Sequence, residues 1–349
     1  MACSLLVVGD DYVLTSAHSH STHPLITDGG AAGYLSAAYT ESLAEFGSPL
    51  VLPRSGSWLL RRTIVPGISD AMGPYPLFCC QDWRAIGADL DELAAANPND
   101  DVAAGAPVSA VVVTDPFADC DPALLAAAFR DRAVAFKEHF VADLSRPLSS
   151  FVSAHHRRYA RRDLAVEECA DPLRWLDDWC TLYQNLCARH EIRGLPALSR
   201  AAFRCQLAVP GLLALRASAG AETLGMVLWY RQGDVAYYHL AAYSDEGYRQ
   251  RASFPLFWLA FERLAAAGVR WAGLGAGPSS SSPSPSSSGA AASQGTDGLV
   301  RFKRGWSTGT RTTYLCGRIF RPDTYRALAR ERGFEESRYF PAYRHGELA

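Results

Sequence analysis

A chain of 349 residues with a formal net charge of −2 suits two ordinary domains, or one domain built from two similar halves. Hydrophobic residues make up 48% of it, so each half can bury its own core, and the balanced charge excludes bulk attraction to nucleic acid or membrane as the main basis of partner choice. Nine irregularly spaced cysteines without a Cys-x-x-Cys pair exclude a zinc ribbon and point to a reduced, cytoplasmic protein.

The N-terminal apolar run, Leu5 to Val8, has no basic residue before it and does not read as a signal peptide; no later run approaches membrane-spanning length. To about residue 105 short apolar runs alternate with Gly, Pro, Ser and Asp, and only a helix over 82–96 stands out. His18, His20 and His23 lie in a Ser/Thr-rich stretch without a nearby carboxylate, so no metal site is expected there. Residues 107–114 are β-branched and read as a buried strand ended by Asp115-Pro116, and Asp121-Pro122 opens a helix over 123–132. Asp115, Asp119 and Asp121 are spaced like a calcium run, but Pro116, Pro122 and the missing Gly and distal Glu count against it. Residues 136–144 look extended, with Phe136, Phe140, Ala142 and Leu144 on one parity.

A basic segment follows: His155, His156, Arg157, Arg158, Arg161 and Arg162, with Tyr159 among them. Two readings stand side by side, a solvated helix face and an anion site in which Arg158, Arg161 and Arg162 hold a phosphate-bearing substrate. Asp171-Pro172 begins an amphipathic helix carrying Leu173, Leu176, Trp179, Leu182, Tyr183 and Leu186. The period then changes to two: residues 211–217, 223–231 and 235–242 read as three strands joined by short turns, hence antiparallel hairpins. A helix over 255–267 ends at Gly268, and residues 269–274 form a further strand parallel to the one before that helix. Residues 278–295, rich in Ser, Pro and Ala, cannot bury enough apolar surface to offset ordering and read as a disordered insert within the C-terminal domain. A last strand covers 312–320.

The expected class is α+β with mixed sheets flanked by helices, divided into an N-terminal lobe, 1–145, and a clearer C-terminal domain, 146–349. Gly273-x-Gly275-x-Gly277 follows a strand but leads into the Ser/Pro insert instead of a helix, so it does not read as a dinucleotide fingerprint.

The run 237–244, the helix with Leu256, Trp258 and Gly268, the strand with Gly273 and Gly275, and Phe302-Lys303 before Trp306 together resemble the FemAB-like branch of the GNAT acyltransferases. The resemblance spans about residues 136–320, and the Arg-rich segment is similar to the stretch before that family's second lobe. It implies two GNAT-like lobes, the first readable as a degenerate half, with the active cleft in the second. It also implies an enzyme that moves an acyl or aminoacyl group to an amine, from acyl-CoA as co-substrate or from aminoacyl-tRNA. Small molecules or cell-envelope precursors would be acceptors, and no metal is implied.

On this reading Lys303 stabilises the tetrahedral oxyanion from a strand-proximal segment, and Tyr238 or His239 acts as acid or base according to strand parity. Arg249, Arg251, Ser253 and Gly275 would hold the donor. The segment 244–253 departs from a Gly-x-Gly phosphate loop, and Asp245 and Glu246 would oppose phosphate. A catalytically silent GNAT-like scaffold is therefore the alternative reading.

Overall fold

The computed structural model describes residues 31–96, 105–277 and 290–347. His18, His20 and His23, and residues 278–289 of the Ser/Pro-rich stretch, lie outside them. The first half carries a 3-10 turn at Gly33–Leu35, then α1 (Ala37–Glu41), β1 (Ser48–Leu52), β2 (Ser57–Val65), β3 (Ile68–Met72), α2 (Ile86–Ala95), β4 (Ser109–Val113), α3 (Pro122–Ala128) and β5 (Arg132–Asp143). Next come α4 (Leu148–Phe151), α5 (Ala154–Ala160), β6 (Ala165–Glu168), α6 (Leu176–His190) and α7 (Arg200–Gln206). The chain continues with β7 (Leu212–Ala219), β8 (Glu222–Gln232), β9 (Val235–Tyr243), α8 (Asp245–Gln250), α9 (Ser253–Ala266) and β10 (Trp271–Ala276). It ends with α10 (Ala290–Trp306), β11 (Gly309–Ile319) and α11 (Pro322–Glu331).

Among the described residues all strands join one mixed sheet, in the order β1-β2-β3-β4-β11-β5-β10-β9-β8-β7-β6. The expected α+β class and the three hairpin-linked strands are present, and β10 lies parallel to β9 as the strand–helix–strand order requires. The same plan occurs twice. An antiparallel meander (β1-β2-β3, then β7-β8-β9) is followed by helix and parallel strand (α2 and β4, then α8, α9 and β10). The strand that completes each half is exchanged: β5 pairs with β10, and β11 pairs with β4 and β5.

Among the described residues three large apolar clusters, beside a small fourth around Val108, Leu328 and Tyr343, fill the layers. α2 and α3 cover β2, β3 and β4 through Ile86, Leu90 and Leu125, and α9 covers β7 to β10 through Leu256, Phe257 and Phe261. On the opposite face α6 and α7 meet Leu60 and Met72 of the first half and Leu228, Tyr230 and Tyr237 of the second, so this core belongs to both. Leu59 and Leu60 enter different clusters, which places both faces of β2 under cover.

Candidate active site

The decisive local event is a parting of β9 and β10. Their parallel register holds Trp271, Ala272 and Gly273 against Val235, Ala236 and Tyr237, and pairing stops there. β9 runs on to Tyr243 through a bulge at Tyr238–Leu240, while β10 bulges between Gly273 and Gly275 and continues against Phe140 and His139 of β5. The two strands thus separate like the arms of a V.

Lys303 is carried by the helix α10, and its side chain lies at the β10 arm. Its backbone is helical because Phe302 and Trp306, four apart, turn one face into the α9 core. The Lys303 Nζ donates to the Ala276 carbonyl at 2.6 Å. Gly275, in the left-handed region at φ +76°, admits it: a Cβ there would stand 3.1 Å from that nitrogen. Burial first, then the Lys137 charge, lowers the Lys303 ammonium to about 8. His139 shares the corner and is held neutral, down to about 4, by burial and then by Lys303 and Lys137.

At the root of the V stands a group that came from the first half. Asp115, just past β4, accepts the Phe117 N–H at 2.7 Å and the Tyr237 hydroxyl at 3.2 Å. Burial raises its carboxyl to about 6, against those two donors and the Arg311 charge. Phe117 packs over Gly273 and Tyr237, and Arg311 lies over the Phe117 and Trp271 rings. In the sequence Asp115 showed itself as a strand-ending acid and as one member of a discounted calcium-like run; the pairing with Tyr237, 122 positions away, has no local signal.

Tyr238 and His239 point to opposite faces. Tyr238 packs between Trp229 and Phe257, its hydroxyl raised by burial and then by Tyr248. His239 is buried with its Nδ1 3.0 Å from the Tyr34 hydroxyl and its Nε2 3.1 Å from Gln206 Oε1, and burial lowers it to about 3. Its partners are core groups, on the face away from α9.

Beyond β9 a small open pocket of about 240 Å³ is lined by Tyr243, Gly247, Tyr248, Arg251, Ser253 and Phe254. Arg251 and Ser253, expected to hold a donor, both line it; Arg249 instead pairs with Glu246. Gly247 does not open a phosphate loop. It lets α8 rest on β8, where a Cβ would fall 1.9 Å from the Leu224 carbonyl oxygen. Arg158 and Arg162 belong to the α5 turn that reaches this region, whereas Arg161 lines a separate cleft with Arg146, Arg157 and Trp258. His156 fixes α5 in place: its ring bonds the Ser153 hydroxyl at 2.6 Å and the Phe302 carbonyl at 3.0 Å, between Phe254 and Trp306. Among the described residues no group of three or more His, Cys, Asp or Glu is placed to hold a metal ion.

Residues 149–280, from α4 to just past the β10 arm, match the family described as the acetyltransferase (GNAT) domain. The chain thus carries a GNAT-type acetyltransferase domain over that segment, and its mixed α+β fold is shared with GNAT-type structures. Among solved structures, FemX is similar at TM-score 0.57 and 11% identity, over 83% of this chain and 93% of that one. The C-terminal domain of an Agrobacterium fabrum protein named a lysylphosphatidylglycerol synthetase is similar at TM-score 0.52 and 18% identity, over 81% and 87%. A conserved Bacteroides thetaiotaomicron protein of unknown function gives 0.51 and 11%, over 81% and 90%. At these identities the likeness is one of fold. A comparison with curated proteins finds no match. The parted strands, the buried lysine and the basic pocket lie within or directly against the matched segment.

Proposed function

We propose that this GNAT protein transfers an acyl or aminoacyl group from a thioester or ester carrier to an amine, with the reaction centre in the V between β9 and β10. The supporting observation is Lys303: a buried ammonium delivered through the gap at Gly275, at the open end of the parted strands. The amine nitrogen attacks the donor carbonyl carbon, the oxyanion that forms takes a hydrogen bond from Lys303 Nζ, and the carrier leaves when the carbonyl re-forms, receiving as thiol or hydroxyl the proton that the amine gives up. The amine proton must also leave, and the Asp115 carboxylate, mostly ionised at neutral pH, is the acceptor at the root of the V. Tyr238, on the pocket side of β9, serves as a donor-side wall, and His239 as a packing group.

Acyl-CoA is the proposed donor, with aminoacyl-tRNA as the other carrier of the same chemistry. A small molecule or a cell-envelope precursor is the proposed acceptor; the name of the Agrobacterium neighbour, a synthetase of a lysylated lipid, supports aminoacyl transfer to an envelope component. No described helix is long and apolar enough to cross a membrane. The test is turnover of acyl-CoA and aminoacyl-tRNA against an amine panel. Lys303→Ala should lower kcat about 10²-fold or more, the scale of one oxyanion donor, with little change in thermal stability. Full activity in that variant removes Lys303 from the reaction.

A further inference from the structure

The face of the sheet away from α9 carries a cation that the transfer step leaves unused. Arg311, on β11, holds its guanidinium 4.7 Å from the centroid of the Trp271 ring and 4.8 Å from that of Phe117, and the two rings stand 6.1 Å apart. The side chain is partly buried, and among the described residues it makes no ion pair and no hydrogen bond. Two flanking rings fix the orientation of a guanidinium but meet none of its N–H donors. An arginine fixed in this way, with its donor fork open, suits a carboxylate or a phosphate, which match that fork bidentately.

Phe117 ties Arg311 to the proton acceptor. Its ring lies against the guanidinium, and its N–H donates to Asp115 Oδ1 at 2.7 Å; the Tyr237 hydroxyl donates to the same oxygen at 3.2 Å. Both donors use Oδ1, so Oδ2 is the oxygen left for an incoming amine. Arg311 attracts this carboxylate without reaching it as an ion pair. Opposite Arg311 in the ladder, His139 is held neutral, and Lys137, two residues along β5, adds a positive charge. Glu138, between them, turns away to the Thr312 hydroxyl. The groups around Arg311 are therefore Lys137, neutral His139 and Asp115, which leaves an excess of positive charge beside the acid.

We propose that Arg311, held between Phe117 and Trp271, binds a carboxylate or phosphate group of the acceptor while the acceptor's amine lies at Asp115 Oδ2, so that the acceptors are amines bearing an acid group a few bonds from the nitrogen. The subsite deepens the transfer reading and rests on it for the word acceptor. One anion and one cation of the protein, with a single ring linking them, face one cation and one anion of the ligand. The faces of the sheet divide the work accordingly. Tyr238 and the basic pocket stand on the α9 side, whereas Tyr237, Phe117 and Asp115 belong to the other side, together with Arg311.

The test pairs acidic amines with uncharged partners of the same length: glycine with glycinamide, β-alanine with β-alaninamide, and O-phosphoethanolamine with ethanolamine. Each is titrated into the full chain by calorimetry and offered as acceptor with acyl-CoA and with aminoacyl-tRNA. The wild type should favour at least one acidic amine over its partner by about tenfold or more in kcat/KM, the scale of a charge-assisted hydrogen bond. Arg311→Met, which keeps a straight chain over the rings, should raise KM for that amine by about tenfold or more, leave kcat within about twofold and leave the uncharged partner unchanged. Arg311→Lys should recover part of the loss. A preference confined to O-phosphoethanolamine assigns a phosphate, and one confined to the amino acids assigns a carboxylate. The subsite is overturned if the wild type neither binds nor acylates an acidic amine better than its partner, or if Arg311→Met slows both members of a pair alike. It is overturned too if KM stays put and only the limb near pH 6 moves to higher pH, which makes Arg311 a charge partner of Asp115 alone. Turnover that needs Lys303 but is blind to the acid group removes the subsite and leaves the reaction standing. Arg311-dependent binding of an acidic amine without transfer from either donor does the reverse.

Discussion

Two ionisable side chains set the expected chemistry, and their burial sets its pH window. Asp115 must be ionised to take the amine proton, which happens above about pH 6; Lys303 must be protonated to hold the oxyanion, which holds below about pH 8. The transfer rate should therefore rise near pH 6 and fall near pH 8, and Lys303→Arg should carry the upper limb to higher pH because guanidinium stays charged. An unchanged upper limb in that variant would assign the limb to another group. Asp115 also has a stability signature. Its carboxyl ionises near 3.8 when unfolded and near 6 when folded, so stability is highest below about pH 4 and falls as pH rises to about 6. The loss is on the order of 2–3 kcal/mol from that shift. Asp115→Asn should remove this dependence and leave the protein more stable than wild type at pH 7, while transfer slows. Denaturant titrations at pH 4 and pH 7 with equal losses in both proteins would contradict it. Lys303 was legible because Phe-Lys before an aromatic is a local pattern. Asp115 was not, since what distinguishes it is desolvation by residues from the other half.

Elements were legible where turns or caps were strong. β7, β8 and β9 came through the short turns that bound them, although both faces of β7 and β8 are covered, α3 through Asp121, whose side chain accepts from Leu124 N–H, and α9 through its apolar stripe and Gly268. β2 was not: its consecutive Leu59 and Leu60 serve two different cores, so the alternation that marks a half-exposed strand is missing. α10 was hidden because Ser, Gly and Ala precede its short apolar run, and among its described side chains Phe302 and Trp306 tie it to a core. The segment 244–253 was read as a failed phosphate loop, whereas it is a short helix packed against β8. Gly247→Ala tests that account. Its methyl would collide with the Leu224 carbonyl, and the displacement passes through the Ala252 N–H bond to the Gly247 carbonyl at 2.9 Å into Arg251 and Ser253. The variant should lose about 1–3 kcal/mol of stability, the usual range for overpacking, and should bind coenzyme A or aminoacyl-tRNA poorly. Normal stability together with normal binding would show that α8 does not rest on β8.

The exchange of strands decides how the whole molecule folds, and no sequence window reports it, because pairing order between remote strands follows from loop closure and not from local pattern. A split at 145/146, natural to the eye in a linear reading, cuts every pairing of β5 with its neighbours and the β4–β11 pairing as well. The fragment 1–145 would hold β5 with both edges bare, and 146–349 would hold β10 and β11 with no strand between them. The core shared by Tyr34, Leu60 and Met72 with Tyr230 and Tyr237 would open too. We propose that the two lobes are one cooperative unit. The full chain should then unfold in a single transition seen alike by far-UV circular dichroism and tryptophan fluorescence, despite a length at which intermediates are common. Each fragment alone should lack cooperative unfolding and expose its bare strand edges to aggregation, and co-expression should restore a complex that unfolds like the intact chain. If 146–349 alone gives a sharp transition at the temperature of the full protein, the exchanged strands contribute nothing to its stability, and the lobes are independent units that merely share a sheet.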